Sequence, residues 1–229
     1  MMRRYVLAVL GATAVITGCD NAGDVVASAN GANTINGSVR VPAGEHSGAV
    51  GTVNGSVDIA ENAVVGAVHT VNGPIEIAAH AGAESVTAVN GQISLGSGVH
   101  VTRAVTAVNG SISLESGAEV GGGIKNVNGQ IELTGAHVVG GVRTVDGDID
   151  ISGDSRIEGG ILVKKSGSWF GFGSDSHQRK PRIVIGPGAV VQGDLRFERE
   201  VDLYVSDKAT VGPISGATPI RFAGDKPPA

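Results

Sequence analysis

Hydrophobic and polar positions recur along this chain with a period of 18 or 19 residues. In each of seven units an aliphatic residue precedes Asn-Gly or Asp-Gly, and two further aliphatic residues follow, separated by one polar residue. A period this regular predicts one structural unit repeated along an axis. The turn positions, spaced by 18, 18, 18, 19, 19 and 18 residues, are Asn36, Asn54, Asn72, Asn90, Asn109, Asn128 and Asp146.

Aligning the units produces five columns of aliphatic residues. The two columns after Asn-Gly, at Val39 and Val41 in the first unit, alternate with a polar position, which is typical of a strand with one buried face. The column before the turn is Ile35, Val53, Val71, Val89, Val108, Val127 and Val145. A later column is Val65, Ala83, Val101, Val120, Val139 and Ile157. The fifth column is Val50, Val68, Val86, Val105, Ile124, Val142 and Ile161.

If each unit is one turn of a coil, successive strands pair in parallel about 4.8 Å apart and each column becomes a stack. The sequence therefore predicts an all-β fold, a single-stranded parallel β-helix (solenoid) of about nine coils of roughly 18–20 residues. We favour a right-handed coil, because the 19-residue units break the strict hexapeptide spacing of a left-handed β-helix. The alternative interpretation of Asn-Gly is a meander of β-hairpins, which would not need one fixed period.

The Asn-Gly pair fits a sharp corner of such a coil, since both residue types tolerate positive φ. Asn in register from coil to coil also allows each side-chain amide to bond to the next, as a ladder. We therefore expect a structural role for the turn positions from Asn36 to Asp146.

The N-terminal segment carries export signals. Arg3 and Arg4 precede an apolar stretch that ends in Ile16-Thr17-Gly18-Cys19. These four residues resemble the lipobox of bacterial lipoproteins. The resemblance implies cleavage before Cys19 and acylation of its thiol, with fatty chains such as palmitate, so that the protein is held at a membrane by lipid. The alternative is an ordinary signal peptide with an incidental cysteine.

These patterns divide the chain into six segments. They are a lipoprotein signal peptide (1–18), an acylated N-terminus and linker (19–33), the VNG-repeat β-helix (34–163), an aromatic and basic insertion (164–181), C-terminal β-helix coils (182–222) and a disordered tail (223–229).

Two stretches of the repeat region resemble known families. The C-terminal string IGPGAVVQGDL, from Ile185 to Leu195, is similar to bactofilins, which are polymer-forming bacterial cytoskeletal proteins. This resemblance covers about a fifth of the chain, counting the last coils, and its motif is of low specificity. The VNG repeats resemble adhesin-type solenoids of bacterial envelope proteins. Bactofilins usually lack a cleaved lipoprotein signal, and this departure argues against a cytoskeletal role inside the cell.

Composition narrows the function classes. The net charge of −5 provides no basic face for nucleic acid, and a single cysteine excludes an internal disulfide framework. The six histidines were assigned to different positions within their units, which predicts neither a metal site nor a cofactor. No nucleophile or phosphate-loop motif is present.

The insertion is the first candidate site. Trp169, Phe170 and Phe172 lie there between basic residues, which is typical of a loop that contacts a glycan, a lipid headgroup or a partner protein. The alternative interpretation is a flap whose aromatic side chains cover one side of the solenoid.

The second candidate site is an acidic coil that holds Asp146, Asp148, Asp150 and Asp154. β-Helix polysaccharide lyases and hydrolases use carboxylates for calcium binding or acid–base chemistry. Outward positions of a solenoid are polar in any case, because charge discourages lateral aggregation.

The sequence thus favours a non-catalytic, lipid-anchored structural or adhesin-like protein of the cell envelope. We expect it to face the periplasm, to meet a membrane through Cys19, and to bind itself, an envelope polysaccharide or a protein. A carbohydrate-active enzyme that uses Asp148 and Asp150 is the alternative.

Overall fold

A computed structural model of the chain describes residues 25–165 and 179–228. All regular structure in these residues is β, and every strand pairing is parallel. The strands are β1 (Val25–Val26), β2 (Ala32–Asn36), β3 (Val39–Val41), β4 (His46–Ser47), β5 (Val50–Asn54), β6 (Val57–Ile59), β7 (Val64–Asn72), β8 (Ile75–Ile77), β9 (Gly82–Asn90), β10 (Ile93–Leu95), β11 (His100–Val101), β12 (Val105–Asn109), β13 (Ile112–Leu114) and β14 (Glu119–Val120). They continue with β15 (Ile124–Lys125), β16 (Ile131–Thr134), β17 (His137–Val138), β18 (Val142–Thr144), β19 (Ile149–Ser152), β20 (Arg156–Ile157), β21 (Ile161–Val163), β22 (Arg182–Ile185), β23 (Val190–Val191), β24 (Leu195–Phe197), β25 (Asp202–Ser206), β26 (Thr210–Val211), β27 (Ile214–Ser215) and β28 (Ile220–Phe222).

The strands form three ladders that run along one axis. Ladder 1 is the 11-stranded sheet of β1, β3, β6, β8, β10, β13, β16, β19, β22, β25 and β28. Ladder 2 joins β4, β7, β9, β11, β14, β17, β20, β23 and β26. Ladder 3 joins β2, β5, β7, β9, β12, β15, β18, β21, β24 and β27.

This arrangement confirms the predicted all-β parallel solenoid. It has about ten turns of roughly 18 residues, which at about 4.8 Å per turn gives a rod of about 48 Å. The sequence predicted about nine coils, because β1 lies in the segment 19–33 that was assigned to a linker. The coil direction stays a prediction.

The core is a set of stacked inward side chains. Each turn sends about six of them to the axis, and in the second turn they are Val57, Ile59, Ala63, Val65, Val68 and Thr70, all buried. Such a thin core has room mainly for aliphatic side chains, and their rows stack at the strand spacing. This explains why only 3% of the chain is aromatic.

Two columns differ from their predicted places. The column from Ile35 to Val145 faces outward: Ile35 is 56% exposed and Val127 37%. Its residues precede the corner, where the inward position is taken by the residue before them, such as Thr52 or Thr70. The later column contains Val138 rather than Val139, since Val138 pairs with Val120 and Val139 is 39% exposed.

The asparagine corner joins ladder 3 to ladder 1, and its ladder of amides is present. Asn54, Asn72, Asn90, Asn109 and Asn128 each donate a side-chain hydrogen bond of 2.8–3.0 Å to the Asn of the preceding turn. The series starts at Asn36. The seventh position, Asp146, binds Arg199 instead.

The predicted insertion interrupts the same corner, between β21 and β22. Val163 and Ile183 occupy ordinary inward positions on either side of it, and both are fully buried. The segment 166–178 between them lies outside the described residues.

Candidate functional site

The acidic coil binds residues at and beyond the C-terminal end of the insertion. Arg199, whose side chain is only 12% exposed, binds the Asp146 carboxylate and donates to the Val145 carbonyl oxygen at 3.1 Å. Arg179 forms an ion pair with Asp148. Arg179 lies at the C-terminal end of the insertion, whereas Arg199 lies at the next corner, between β24 and β25.

Further contacts tie the returning strand to the same corner. The Arg182 backbone N–H donates to Asp148 Oδ1 at 2.8 Å, and Arg199 also donates to the Arg179 carbonyl oxygen at 3.4 Å. Lys180 pairs with Glu200 at 2.9 Å, and this hydrogen bond raises the pKa of Lys180 and lowers that of Glu200. Together these contacts form a fixed base for the insertion.

Asp150 lies two residues after Asp148, on the outward side of β19. Burial raises the pKa of its carboxyl, the nearby Glu132 raises it further, and Arg182 partly offsets both. The Arg182 guanidinium also lies 5.1 Å from the centre of the Tyr204 ring, a cation–π distance. A carboxyl whose pKa is raised by burial is compatible with acid–base chemistry. Its neighbour Asp148, however, already accepts hydrogen bonds from Arg179 and from the Arg182 backbone N–H.

The outward side of ladder 1 forms an acidic face. In strand order from the second turn to the seventh, its residues are Asp58, Glu76, Ser94, Ser113, Glu132 and Asp150. A groove of about 620 Å³ lies on this face, and its polar lining includes Asp58, Glu76, Gln92, Ser94 and Glu115. None of its lining residues is aromatic. The groove offers hydrogen-bond acceptors to a hydroxyl-rich or cationic partner.

The outward side of ladder 3 forms a valine face. Its apolar ridge is the exposed column from Ile35 to Val145, and beside the ridge runs a polar column of His69, Thr87, Thr106, Lys125 and Arg143. The described strands of this face from Val86 to Thr144 carry no acidic residue. An exposed apolar stripe with a polar rim is typical of an interaction surface.

Histidines also stack on the outward side of ladder 2, which the sequence interpretation did not predict. His46, His100 and His137 share one column. The assignment to different positions was wrong, because His46 and His100 both lie ten residues after an Asn of the repeat. Glu119 lies between two of them, 3.3 Å from His100 Nδ1 and 3.8 Å from His137 Nδ1.

A second carboxylate extends this row, since Glu158 lies 3.0 Å from His137 Nε2. Even so, no group of three or more His, Cys, Asp or Glu within residues 25–165 and 179–228 is arranged to hold a metal ion. The row is a chain of surface His–Glu contacts that links successive turns.

The remaining predicted site residues fall outside what the structure describes. Cys19, Trp169, Phe170 and Phe172 all belong to segments that are not described. The repeat pattern did not predict the aspartate–arginine contacts, although the sequence holds one signal of them: Asp146 replaces the Asn found at every earlier corner.

Comparisons with known proteins add no name to this site. No protein-family model matches the chain, and no curated protein or solved structure is significantly similar to it. Within the described residues, no helix is long and apolar enough to cross a membrane.

Proposed function

We propose that this chain is an exported, lipid-anchored structural protein of the bacterial cell envelope that holds an aromatic binding loop away from the membrane. Cys19 is its anchor, and the insertion with Trp169, Phe170 and Phe172 is its contact with an envelope glycan or protein. The solenoid is a non-catalytic spacer that faces the periplasm.

The observation that carries the proposal is the fixed base of the insertion. Asp148 binds Arg179 at the C-terminal end of the insertion, and the Lys164 N–H donates to the Thr144 carbonyl oxygen at its N-terminal end, so both ends are tied to a stack of hydrogen-bonded turns. The corner at Val163 lies seven turns beyond the first turn of the repeat, about 34 Å along the axis at the usual strand spacing. A binding loop on such a base is positioned by a rigid scaffold, as recognition loops commonly are.

Two finer interpretations belong to this proposal. The adhesin-like character follows from a long repetitive surface that suits a partner with its own repeat. The bactofilin-like, polymer-forming character is supported by the string from Ile185 to Leu195, which forms an ordinary turn of the solenoid with Leu195 buried.

The carbohydrate-active alternative has weaker support. Its proposed carboxylates are Asp148 and Asp150, and Asp148 accepts hydrogen bonds from Arg179 and from the Arg182 backbone. A general acid or base needs a free proton-transfer position toward its substrate, and these contacts instead favour a structural role for Asp148.

The test is a binding assay of the full chain on an isolated cell-envelope fraction. Replacing Trp169, Phe170 and Phe172 with Ala is expected to weaken binding by at least about tenfold, because aromatic side chains supply most of the energy of such contacts. The matched control replaces the exposed Val64 and Val139 with Ala, away from the insertion, and should keep the binding.

Two results would count against the proposal. Unchanged binding of the triple aromatic variant would show that the insertion does not contact the envelope partner. Release of reducing sugar ends from the envelope fraction by the wild-type chain, lost in Asp148→Asn with Asp150→Asn, would favour the enzyme.

A further inference from the structure

In five successive turns, the outward residues of the valine face and of the acidic face have complementary side-chain types. In each turn the polar residue of the valine face and the residue of the acidic face are seven positions apart in sequence. The pairs, in order along the axis, are His69 with Glu76, Thr87 with Ser94, Thr106 with Ser113, Lys125 with Glu132, and Arg143 with Asp150. In these five turns basic residue types share a height with acidic ones, and hydroxyls with hydroxyls. In the two turns before them Asn33 lies level with Arg40 and Gly51 with Asp58, so those turns carry no such match.

Three of the four charges in the Lys125–Glu132 and Arg143–Asp150 pairs have no opposite charge bound to them within the described residues, and the fourth, Asp150, is attracted to Arg182. Lys125, Arg143 and Glu132 are exposed, and in the described part of the chain none of them has an ion-pair partner. The asparagine corner separates the two faces, so the matched residues belong to different sides of the rod. Unpaired opposite charges at equal heights fit a contact between two copies better than a contact within one.

We propose that copies of this chain pack side by side, with the valine face of one on the acidic face of the next, their axes parallel and without a shift along the axis. Lys125 of one copy then meets Glu132 of its neighbour, and Arg143 meets Asp150. Because both faces repeat at about 4.8 Å, every turn meets a turn of the neighbour at the same height.

The ridge and the charges have separate roles in this contact. Burial of the exposed ridge, with Ile35 56% and Val53 38% exposed, supplies the apolar part of the association. The charges select the partner face and fix the register, since like charges placed opposite one another are strongly disfavoured. A contact between two different faces leaves one free face at each side, so further copies add until a ring closes or an open row forms.

The parallel orientation of the copies agrees with the proposed lipid anchor. The placement of this assembly at a membrane rests on the proposed function. Parallel axes without a shift put every N-terminus at the same end of the row. Lipids on Cys19 in one membrane would impose that same arrangement. The contact itself needs no lipid, and it is therefore tested on the full chain carrying Cys19→Ser.

Thiol crosslinking tests the register. Cys19 is the single cysteine of the chain, so one chain receives Thr106→Cys and a second receives Ser113→Cys in the Cys19→Ser background. Mixing the two with a short bifunctional maleimide should give a heterodimer, because sheets packed face to face lie about 10 Å apart, too far for a direct disulfide but within reach of the reagent. The control partner carries Arg40→Cys, in the same column as Ser113 but four turns away, about 19 Å.

A charge exchange tests the chemistry by sedimentation velocity. Lys125→Glu and Glu132→Lys are each expected to weaken self-association about tenfold. Mixing the two variants should restore it, since each then finds an opposite charge on the other. This restoration also shows that both variants fold.

Several outcomes would overturn the inference. They are a wild-type chain that stays monomeric, equal crosslinking of Thr106→Cys to the matched and the distant partner, or no recovery on mixing the charge variants. None of them bears on acylation of Cys19 or on the aromatic loop, so the proposed function would stand or fall separately.

Discussion

The carboxylate of Asp150 lies between unlike neighbours on the acidic face. Its pKa is raised above the ordinary value of 3.8, first by burial and then by Glu132, while Arg182 lowers it. The folded chain therefore holds this proton more tightly than the unfolded chain does. The stabilisation from that proton is fully present below pH 3.8 and is lost as the pH rises through the raised pKa.

The prediction at this scale is that Asp150→Asn stabilises the chain at pH 7, because it removes a charge that folding partly desolvates. The gain should shrink as the pH falls toward 3.5, because the wild-type carboxyl then takes up its proton in the folded chain and increasingly in the unfolded chain. Urea denaturation at the two pH values measures it, with Ser113→Ala in the same column as the control without a titrating group. Destabilisation at pH 7 would mean that attraction to Arg182 outweighs burial.

The asparagine corner is the element that keeps successive turns in register. Its glycines are required by space as well as by conformation: Gly73 has a φ of +149°, and a Cβ there would lie 1.9 Å from the Gly55 carbonyl oxygen. The turn below therefore leaves no room for a side chain. Gly82, the first residue of β9 in ladder 2, has more room: a Cβ added there would make an ordinary contact, 3.7 Å from the nearest Val64 methyl carbon.

We accordingly expect Gly73→Ala to lower the free energy of unfolding by about 3 kcal/mol or more, and Gly82→Ala to change it by less than about 1 kcal/mol. Chemical denaturation followed by circular dichroism compares the two variants. Equal losses at the two positions would contradict the close stacking of the corner.

Some elements could be predicted from the sequence and others could not, for physical reasons. The corner was predictable because Asn-Gly recurs at a fixed period, which only stacked turns require. The inward position of Val138 was not predictable, because the segment between ladders 1 and 2 is one residue shorter in that turn. Val138 lies seven residues after Ile131, whereas in the preceding turn Val120 lies eight residues after Ile112. A column drawn at constant spacing cannot detect such a local change.

At the scale of the whole molecule, the repeat specifies the solenoid but not its surfaces. Outward positions are free to vary, so their pattern is informative only once the ladders show which residues share a face. The base of the insertion was equally hidden, because Arg199 lies 53 residues from Asp146 in sequence. The interpretation of the acidic coil as a solvated surface was incomplete. Asp148 binds Arg179 at the C-terminal end of the insertion, and Asp146 binds Arg199.

The molecule as a whole is proposed to be a rod that stands on a lipid, and the mass of its N-terminus tests this most directly. The protein should be extracted with detergent from the membranes of a bacterium that processes lipoproteins, and its N-terminal peptide analysed by mass spectrometry. The account predicts a chain that begins at Cys19 and carries diacylglycerol on its thiol. A chain that begins at any other residue, or an unmodified Cys19, would contradict it.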